Sequence, residues 1–189
     1  MAWAPDYVTP VELQSYLKDE YLDAALLAAW VTTASRAVDD YCGRQFGQVD
    51  VPQARVYPGQ DLGAAGWRFE VDDLEDLTGL QVADADANPV TGYTFGPMNA
   101  VAKGRPYEWL TARVSGELTV TGRWGWSQVP AAAKTATLLQ AARLAQRRDS
   151  PFGISGSPQE QGELRLLAAL DPDLRTSLKP LVRRRCVIA

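Results

Sequence analysis

At 189 residues, with 46% hydrophobic and 22% charged side chains, the chain is long enough for one real core with appendages and too ordinary in composition for a disordered, collagen-like or disulfide-framework protein. Histidine is absent, which removes the commonest general base, the usual metal ligand and the partner of most serine and cysteine nucleophiles, and so weakens most enzyme classes at once. The net charge of −4 conceals an asymmetry: residues 1–102 carry 5 basic and 16 acidic side chains, a net of −11, and residues 103–189 carry 14 basic and 7 acidic, a net of +7, so one half repels polyanions and the other suits an acidic partner.

The N-terminus, Met1-Ala2-Trp3-Ala4-Pro5-Asp6, lacks the basic-then-apolar pattern of a secretory signal. No apolar run approaches the roughly 18 to 20 residues that span a bilayer. The chain is therefore expected to be made and kept in the cytoplasm, with no membrane partner. Thr9-Pro10-Val11-Glu12 opens a first helix over 9–19: Thr9 can cap, Pro10 sits where its missing N–H costs little, and Glu12 completes a capping box. A second helix over 23–42 keeps Leu27, Trp30, Val31, Ala34, Val38 and Tyr41 on one face, with Thr33, Arg36, Asp39 and Asp40 on the other, and stops at Gly43.

From 55 to 126 the period changes to two, as in Trp67-Arg68-Phe69-Glu70-Val71-Asp72 and in the run Leu118 to Trp126, which predicts half-buried strands. Turn signals at Tyr57-Pro58-Gly59, Asn88-Pro89, Gly96-Pro97 and Ser115-Gly116 predict antiparallel hairpins. Pro130 then starts a third helix over 130–148, rich in alanine, leucine and arginine, with Arg143, Arg147 and Arg148 where the helix dipole favours cations. Residues 149–162, with Pro151, Gly153, Gly156 and Pro158, predict a loop or hinge. A fourth helix is expected over 163–170, before Asp171-Pro172. Cys42 and Cys186 lie far apart without metal or redox spacing, and Cys42 is expected to be a core thiol. The fold class expected is mainly α: a helical-bundle domain over 1–177 with an inserted antiparallel β region, and a tail over 178–189.

Three segments carry a resemblance. The first is Tyr7-Val8-Thr9-Pro10-Val11-Glu12-Leu13, leading to the helix that ends Asp39-Asp40-Tyr41-Cys42-Gly43-Arg44-Gln45-Phe46. The second is Leu118-Thr119-Val120-Thr121-Gly122-Arg123-Trp124-Gly125-Trp126-Ser127-Gln128-Val129-Pro130, running into the alanine-rich helix. The third is Arg147-Arg148-Asp149-Ser150-Pro151-Phe152-Gly153, followed by Leu170-Asp171-Pro172-Asp173-Leu174 and the arginine tail. In order and spacing the chain resembles the head-to-tail connector, or head-completion adaptor, family of tailed bacteriophages. The stretch from Val49 to Tyr107 matches least.

The resemblance implies a homomeric ring, a dodecamer, beneath the portal protein. It implies DNA passing through the centre without sequence-specific binding, a platform for the next neck or tail-completion protein, and a C-terminal segment that binds the portal. It places the protein in the virion neck after synthesis in the host cytoplasm, and implies no enzymatic activity, cofactor or metal. The tail residues assigned to portal binding are Leu181, Val182, Arg183, Arg184, Arg185 and Ile188: arginines meet carboxylates while the apolar residues enter a groove or extend a sheet edge. Cys186-Val187-Ile188-Ala189 after three arginines matches a prenylation box, but a bacterial virus has no prenylating host.

Asp72, Asp73, Glu75 and Asp76 form an acidic run that can be read as a solvated turn, a cation site, or a partner-facing or channel-lining cluster that keeps a moving polyanion from sticking. Asp84-Ala85-Asp86-Ala87-Asn88 imitates a calcium loop, but Pro89 and Phe95 occupy its glycine and glutamate positions. Trp124 and Trp126 are expected in the sheet core or an interface rather than stacked on bases. Arg143, Arg147 and Arg148 are expected to compensate the helix dipole rather than grip phosphates. The alternative function is a nucleic-acid-binding or regulatory module using the basic C-terminal half.

Overall fold

Residues 4–19, 21–148, 154–155, 164–165 and 172–183 are described by the structure, a computed structural model. The chain divides into two compact units, a sheet unit of Gln45–Gln128 with the first five residues and a helical unit of Asp6–Arg44 with Val129–Ala189.

In the helical unit, α1 (Pro10–Leu17) opens with both arms of the expected capping box: Glu12 N donates to the Thr9 hydroxyl at 3.2 Å and Thr9 N to the Glu12 carboxylate at 2.6 Å. The Thr9 backbone N–H first, and then the Thr9 hydroxyl, which donates to the same carboxylate oxygen at 3.0 Å, hold the Glu12 carboxyl below its ordinary range. α2 (Ala24–Cys42) is capped by Asp23, which accepts from Ala25 N at 2.8 Å, and closes on Gly43 in the left-handed conformation. α3 (Ala131–Arg148) follows Pro130 as expected. These helices bury Leu13, Leu27, Val31 and Ala34 with Ala141 and Ala142 of α3, each fully buried leucine or valine contributing about 1.5 to 3 kcal/mol. The alanine run of α3 gives this packing its reason: small side chains let helices approach closely.

The face assigned to α2 from sequence needs one correction. Asp39, placed on the solvent face with Thr33, Arg36 and Asp40, is 7% exposed. The buried set is Leu27, Val31, Ala34, Ser35, Val38, Asp39 and Cys42, an apolar stripe that turns polar along one edge.

In the sheet unit, β1 (Gln53–Asp61), β2 (Trp67–Leu74), β3 (Asp76–Ala83), β4 (Tyr93–Gly96), β5 (Tyr107–Ala112) and β6 (Glu117–Arg123) form one curled antiparallel sheet in the order β3-β6-β1-β2-β5-β4. Period-two alternation places Phe69, Val71, Leu110, Leu118 and Val120 on the inner face with Tyr57 and Trp124. Ser115-Gly116 does join β5 to β6. Tyr57-Pro58-Gly59, read as a turn, instead lies inside β1. Pro58 sits just outside the β1–β2 ladder, which runs over Gly59–Asp61. A side chain at Gly59 would come within 2.6 Å of the Phe69 ring and 2.7 Å of the Gly116 carbonyl oxygen, so glycine is there for close approach, not for a bend.

A mainly helical fold is therefore the wrong description. The inserted β region is a six-stranded sheet with its own buried core, as much a body as the helices. Helix signals are local and conspicuous, so they overweight helix in a sequence reading; the sheet's cohesion comes from pairings between β1 and β6 that no local window contains.

After α3 the described residues include β7 (Ile154–Ser155), paired antiparallel with β8 (Leu164–Arg165). Two of the residues expected in a fourth helix are thus extended. The rest of that helix, and the rest of the loop 149–162, lie outside the described residues. A helix does follow, α4 (Pro172–Leu178), burying Leu174 and Leu178, with a 3-10 turn at Lys179–Leu181.

Candidate functional site

The acidic run sits on an irregularity. Opposite β5, four residue steps of β2 from Glu70 to Leu74 span the two from Trp109 to Tyr107, a bulge after which the in-and-out alternation, kept through Asp72 and Asp73, breaks at Leu74. Asp72 Oδ2 accepts from Arg55 Nη1 at 2.6 Å and from the Tyr57 hydroxyl at 3.0 Å. Burial, and next the Asp72 charge, push the Tyr57 hydroxyl pKa upward, so it stays a proton donor. Asp73, 3% exposed, accepts from Trp126 Nε1 at 2.8 Å. Glu75 accepts from the backbone N and hydroxyl of Ser127 at 2.6 and 2.8 Å. Asp76 accepts from Thr78 N at 2.8 Å and lies 3.9 Å from Arg123 Nη1, and the Thr78 hydrogen bonds hold its carboxyl below the usual range.

The four carboxylates are thus not gathered round one opening. Each ties a different piece of backbone or side chain to the β2–β3 connection, so the run staples the sheet unit. Asp84 is used in the same way, accepting from Asp86 N at 3.0 Å and Asn88 N at 2.8 Å; these bonds, the Asn88 backbone first, lower its pKa. Among the described residues, no group of three or more acidic or cysteine side chains is placed to hold a metal ion.

Of the tail residues, Leu181, Val182 and Arg183 are described, and each is partly buried. Arg183 N donates to the carbonyl of Cys42 at 2.8 Å, satisfying an orphan acceptor at the C-terminus of α2. The Tyr41 hydroxyl donates to the Arg175 carbonyl at 3.1 Å. The chain is thereby fastened to α2 as far as Arg183. Arg184, Arg185 and Ile188 lie outside the described residues.

Trp124 and Trp126 are buried, as expected of core residues, and take no part in a stacking surface. Arg143 and Arg147 are partly buried, and none of Arg143, Arg147 and Arg148 is without a partner. Cys42 is a buried thiol whose pKa burial pushes up to about 12, which suits packing and not nucleophilic chemistry. Among the described residues, no helix is long and apolar enough to cross a membrane.

Sequence reasoning missed the polar knot around Asp39. Tyr7 N donates to the Ser35 hydroxyl at 3.2 Å, the Tyr7 hydroxyl donates to Asp39, and Arg36 Nε lies 3.1 Å from the same carboxylate. The signal was available: Ser35, Asp39 and Cys42 continue the stripe at spacings of four and three. Burial raises the Asp39 carboxyl from 3.8 to about 6, against the Tyr7 hydrogen bond and Arg36. A raised folded pKa gives stability that is fully present below the unfolded pKa and is lost as pH rises through the folded one. The unfolding free energy is expected to fall by on the order of 1 to 3 kcal/mol between about pH 4 and 6 relative to Asp39→Asn. Urea titrations across that range check this, and parallel profiles for the two proteins would overturn it.

Among the described residues, two of the exposed apolar surfaces lie close in sequence to charged side chains, one on each unit. On the helical unit, Tyr21 is 97% and Leu26 42% exposed, beside Asp19 and Asp23. On the sheet unit, Met98 is 76% and Val101 42% exposed, beside Lys103 and Arg105. Separately, a groove of about 570 Å³ between α1 and α3 is lined by Val8, Val11, Glu12, Tyr16, Lys134 and Leu138; it carries one charge of each sign. No family model matches the chain, and no curated protein matches it.

Proposed function

We propose that the chain is a structural, non-enzymatic adaptor of a tailed-phage neck. Copies form a ring, a dodecamer, under the portal, complete the head, retain the packaged DNA and offer a platform to the next neck protein. DNA passes through without sequence-specific recognition. One observation carries this reading: the first two of the three segments that resemble the connector family coincide with places where the chain is tied or crosses over. Residues 7–13 form the entry and cap of α1. Residues 39–46 close α2, whose last carbonyl receives Arg183, and 118–130 bring the chain from β6 into α3.

The reading is tested by adding purified protein to DNA-filled, tailless heads from a phage lacking it and looking by electron microscopy at the portal vertex. New ring density with restored tail joining is expected; unchanged heads with an intact portal would overturn the proposal. Salt-sensitive affinity for duplex DNA in the same preparation would favour the nucleic-acid-binding alternative, because phosphate neutralisation makes affinity fall steeply with salt.

The tail assignment has its own test. Because the chain is fastened to α2 through Arg183, the informative truncation removes residues 184–189 and not the whole tail. It is expected to leave circular dichroism and thermal unfolding unchanged while abolishing attachment to heads. Normal attachment of the truncated protein would sink the portal-binding role of Arg184, Arg185 and Ile188.

A further inference from the structure

A closed ring of identical subunits needs two different, complementary surfaces on each copy, since a head-to-tail contact repeated by rotation is heterologous. The chain carries such a pair. The loop after β4 presents Met98 and Val101 to solvent with Lys103 and Arg105 close in sequence, and no acidic residue occurs from Gly92 to Tyr107. This tip is stiff: Ala100 is buried, Ala100 N donates to the Pro97 carbonyl at 3.1 Å, and Lys103 N and Arg105 N both donate to the Ala100 carbonyl, at 2.9 and 3.0 Å. A pre-ordered tip loses little entropy on docking.

The turn between α1 and α2 has the opposite character. Tyr21 stands almost fully in solvent, with Leu26 on the first turn of α2. Asp19 and Asp23 flank Tyr21 in sequence and are held locally, accepting from Tyr21 N at 3.1 Å and Ala25 N at 2.8 Å. Lys18 is the one cation close by in sequence.

We propose, resting on the ring reading above, that the 97–105 tip of one copy docks on the α1–α2 turn of the next. Met98 and Val101 pack against Tyr21 and Leu26, while Lys103 and Arg105 face Asp19 and Asp23. A nucleic-acid backbone would use the two cations but leave Met98 and Val101 in water, whereas the turn matches both the charge and the apolar area. An apolar centre with a polar rim is the ordinary composition of such a contact.

The test uses the full chain with Cys186→Ser, in two differently tagged forms carrying Val101→Cys or Tyr21→Cys, mixed and mildly oxidised. The mixed disulfide is expected to form at least roughly tenfold faster than that between Val101→Cys and a Val56→Cys control on the exposed sheet face. Lys103→Glu with Arg105→Glu in the tip-bearing form is expected to erase that preference. Asp19→Lys with Asp23→Ser in the receiving form is expected to restore it, serine keeping the α2 cap.

Equal rates for the two pairs, no mixed disulfide, or indifference to charge reversal would overturn the interface. Protection of the tip cysteine by duplex DNA instead would assign the tip to nucleic acid and overturn it too. The adaptor reading fails separately. Rings at the portal vertex built from the Lys103→Glu, Arg105→Glu protein would leave the adaptor standing and remove this interface; heads that never bind wild-type protein would remove the adaptor whatever the cross-links show.

Discussion

Gly125→Ala is expected to prevent the sheet unit from folding, or to cost it about 3 kcal/mol or more. Gly125 has φ +113 and is bonded through its N–H to the Asp73 carbonyl at 2.6 Å, bridging Gln48 on one side and Leu74 on the other. A Cβ there would overlap the Gly47 carbonyl oxygen and stand 2.8 Å from its carbon and 2.9 Å from Gln48 Cα. All of these are backbone atoms, so no rotamer change relieves them. Gly116→Ala is the matched control: φ is +88 but no atom lies within 4 Å of the added carbon, so only the backbone term of roughly 1 kcal/mol applies. Urea unfolding followed by tryptophan fluorescence separates the two, and equal midpoints would show that segment 47–48 yields to the new methyl.

Trp124→Ala should be nearly as damaging, at about 3 to 5 kcal/mol. The indole is fully buried, donates Nε1 to the Gln53 carbonyl at 2.7 Å, meets the Tyr57 ring edge-on with centroids 5.4 Å apart, and lies under the Arg55 guanidinium at 5.0 Å. Removing it opens a cavity, takes the ring from under Arg55, which keeps its ion pair with Asp72, and leaves the Gln53 carbonyl without its indole donor. Trp124→Phe keeps most of the volume and leaves one unpaired acceptor, a loss nearer 1 to 3 kcal/mol. Thermal unfolding of the two variants is expected to rank them in that order; an alanine variant as stable as the phenylalanine one would mean that the indole is not the keystone of this core.

What the sequence disclosed and what it withheld divide along the range of the interactions. Thr9 with Glu12, Asp23, Gly43 and Pro130 mark helix ends through bonds to residues a few positions away, and every one of those ends was legible. Strand existence was legible in the alternation of 118–123, but strand order was not, since β1 finds β6 across most of the unit. The same limit explains Tyr57-Pro58-Gly59, where a turn-like composition serves the approach of Phe69. It explains the acidic run, whose separate duties follow from partners as far along as Ser127 and Trp126. Asp39 was different: its place on the buried stripe was readable, and the habit of assigning charge to solvent concealed it.

The insertion between α2 and α3 bears on how the molecule is assembled in time. Trp126 N donates to the Gly47 carbonyl at 3.0 Å and Val49 N to the Trp124 carbonyl at 2.9 Å, so the polypeptide enters and leaves the sheet unit through adjacent backbone. Once that unit has formed, the connection α3 must close to reach α2 is only the few residues at either end, not the whole of Gln45–Gln128. At about 0.6 kcal/mol for each doubling of a flexible loop, this shortcut spares the helix pairing roughly 2 kcal/mol of closure entropy. On a translating ribosome α2 emerges well before α3, so the sheet is the part that can fold while α2 waits, and its folding brings the late helix within reach of the early one.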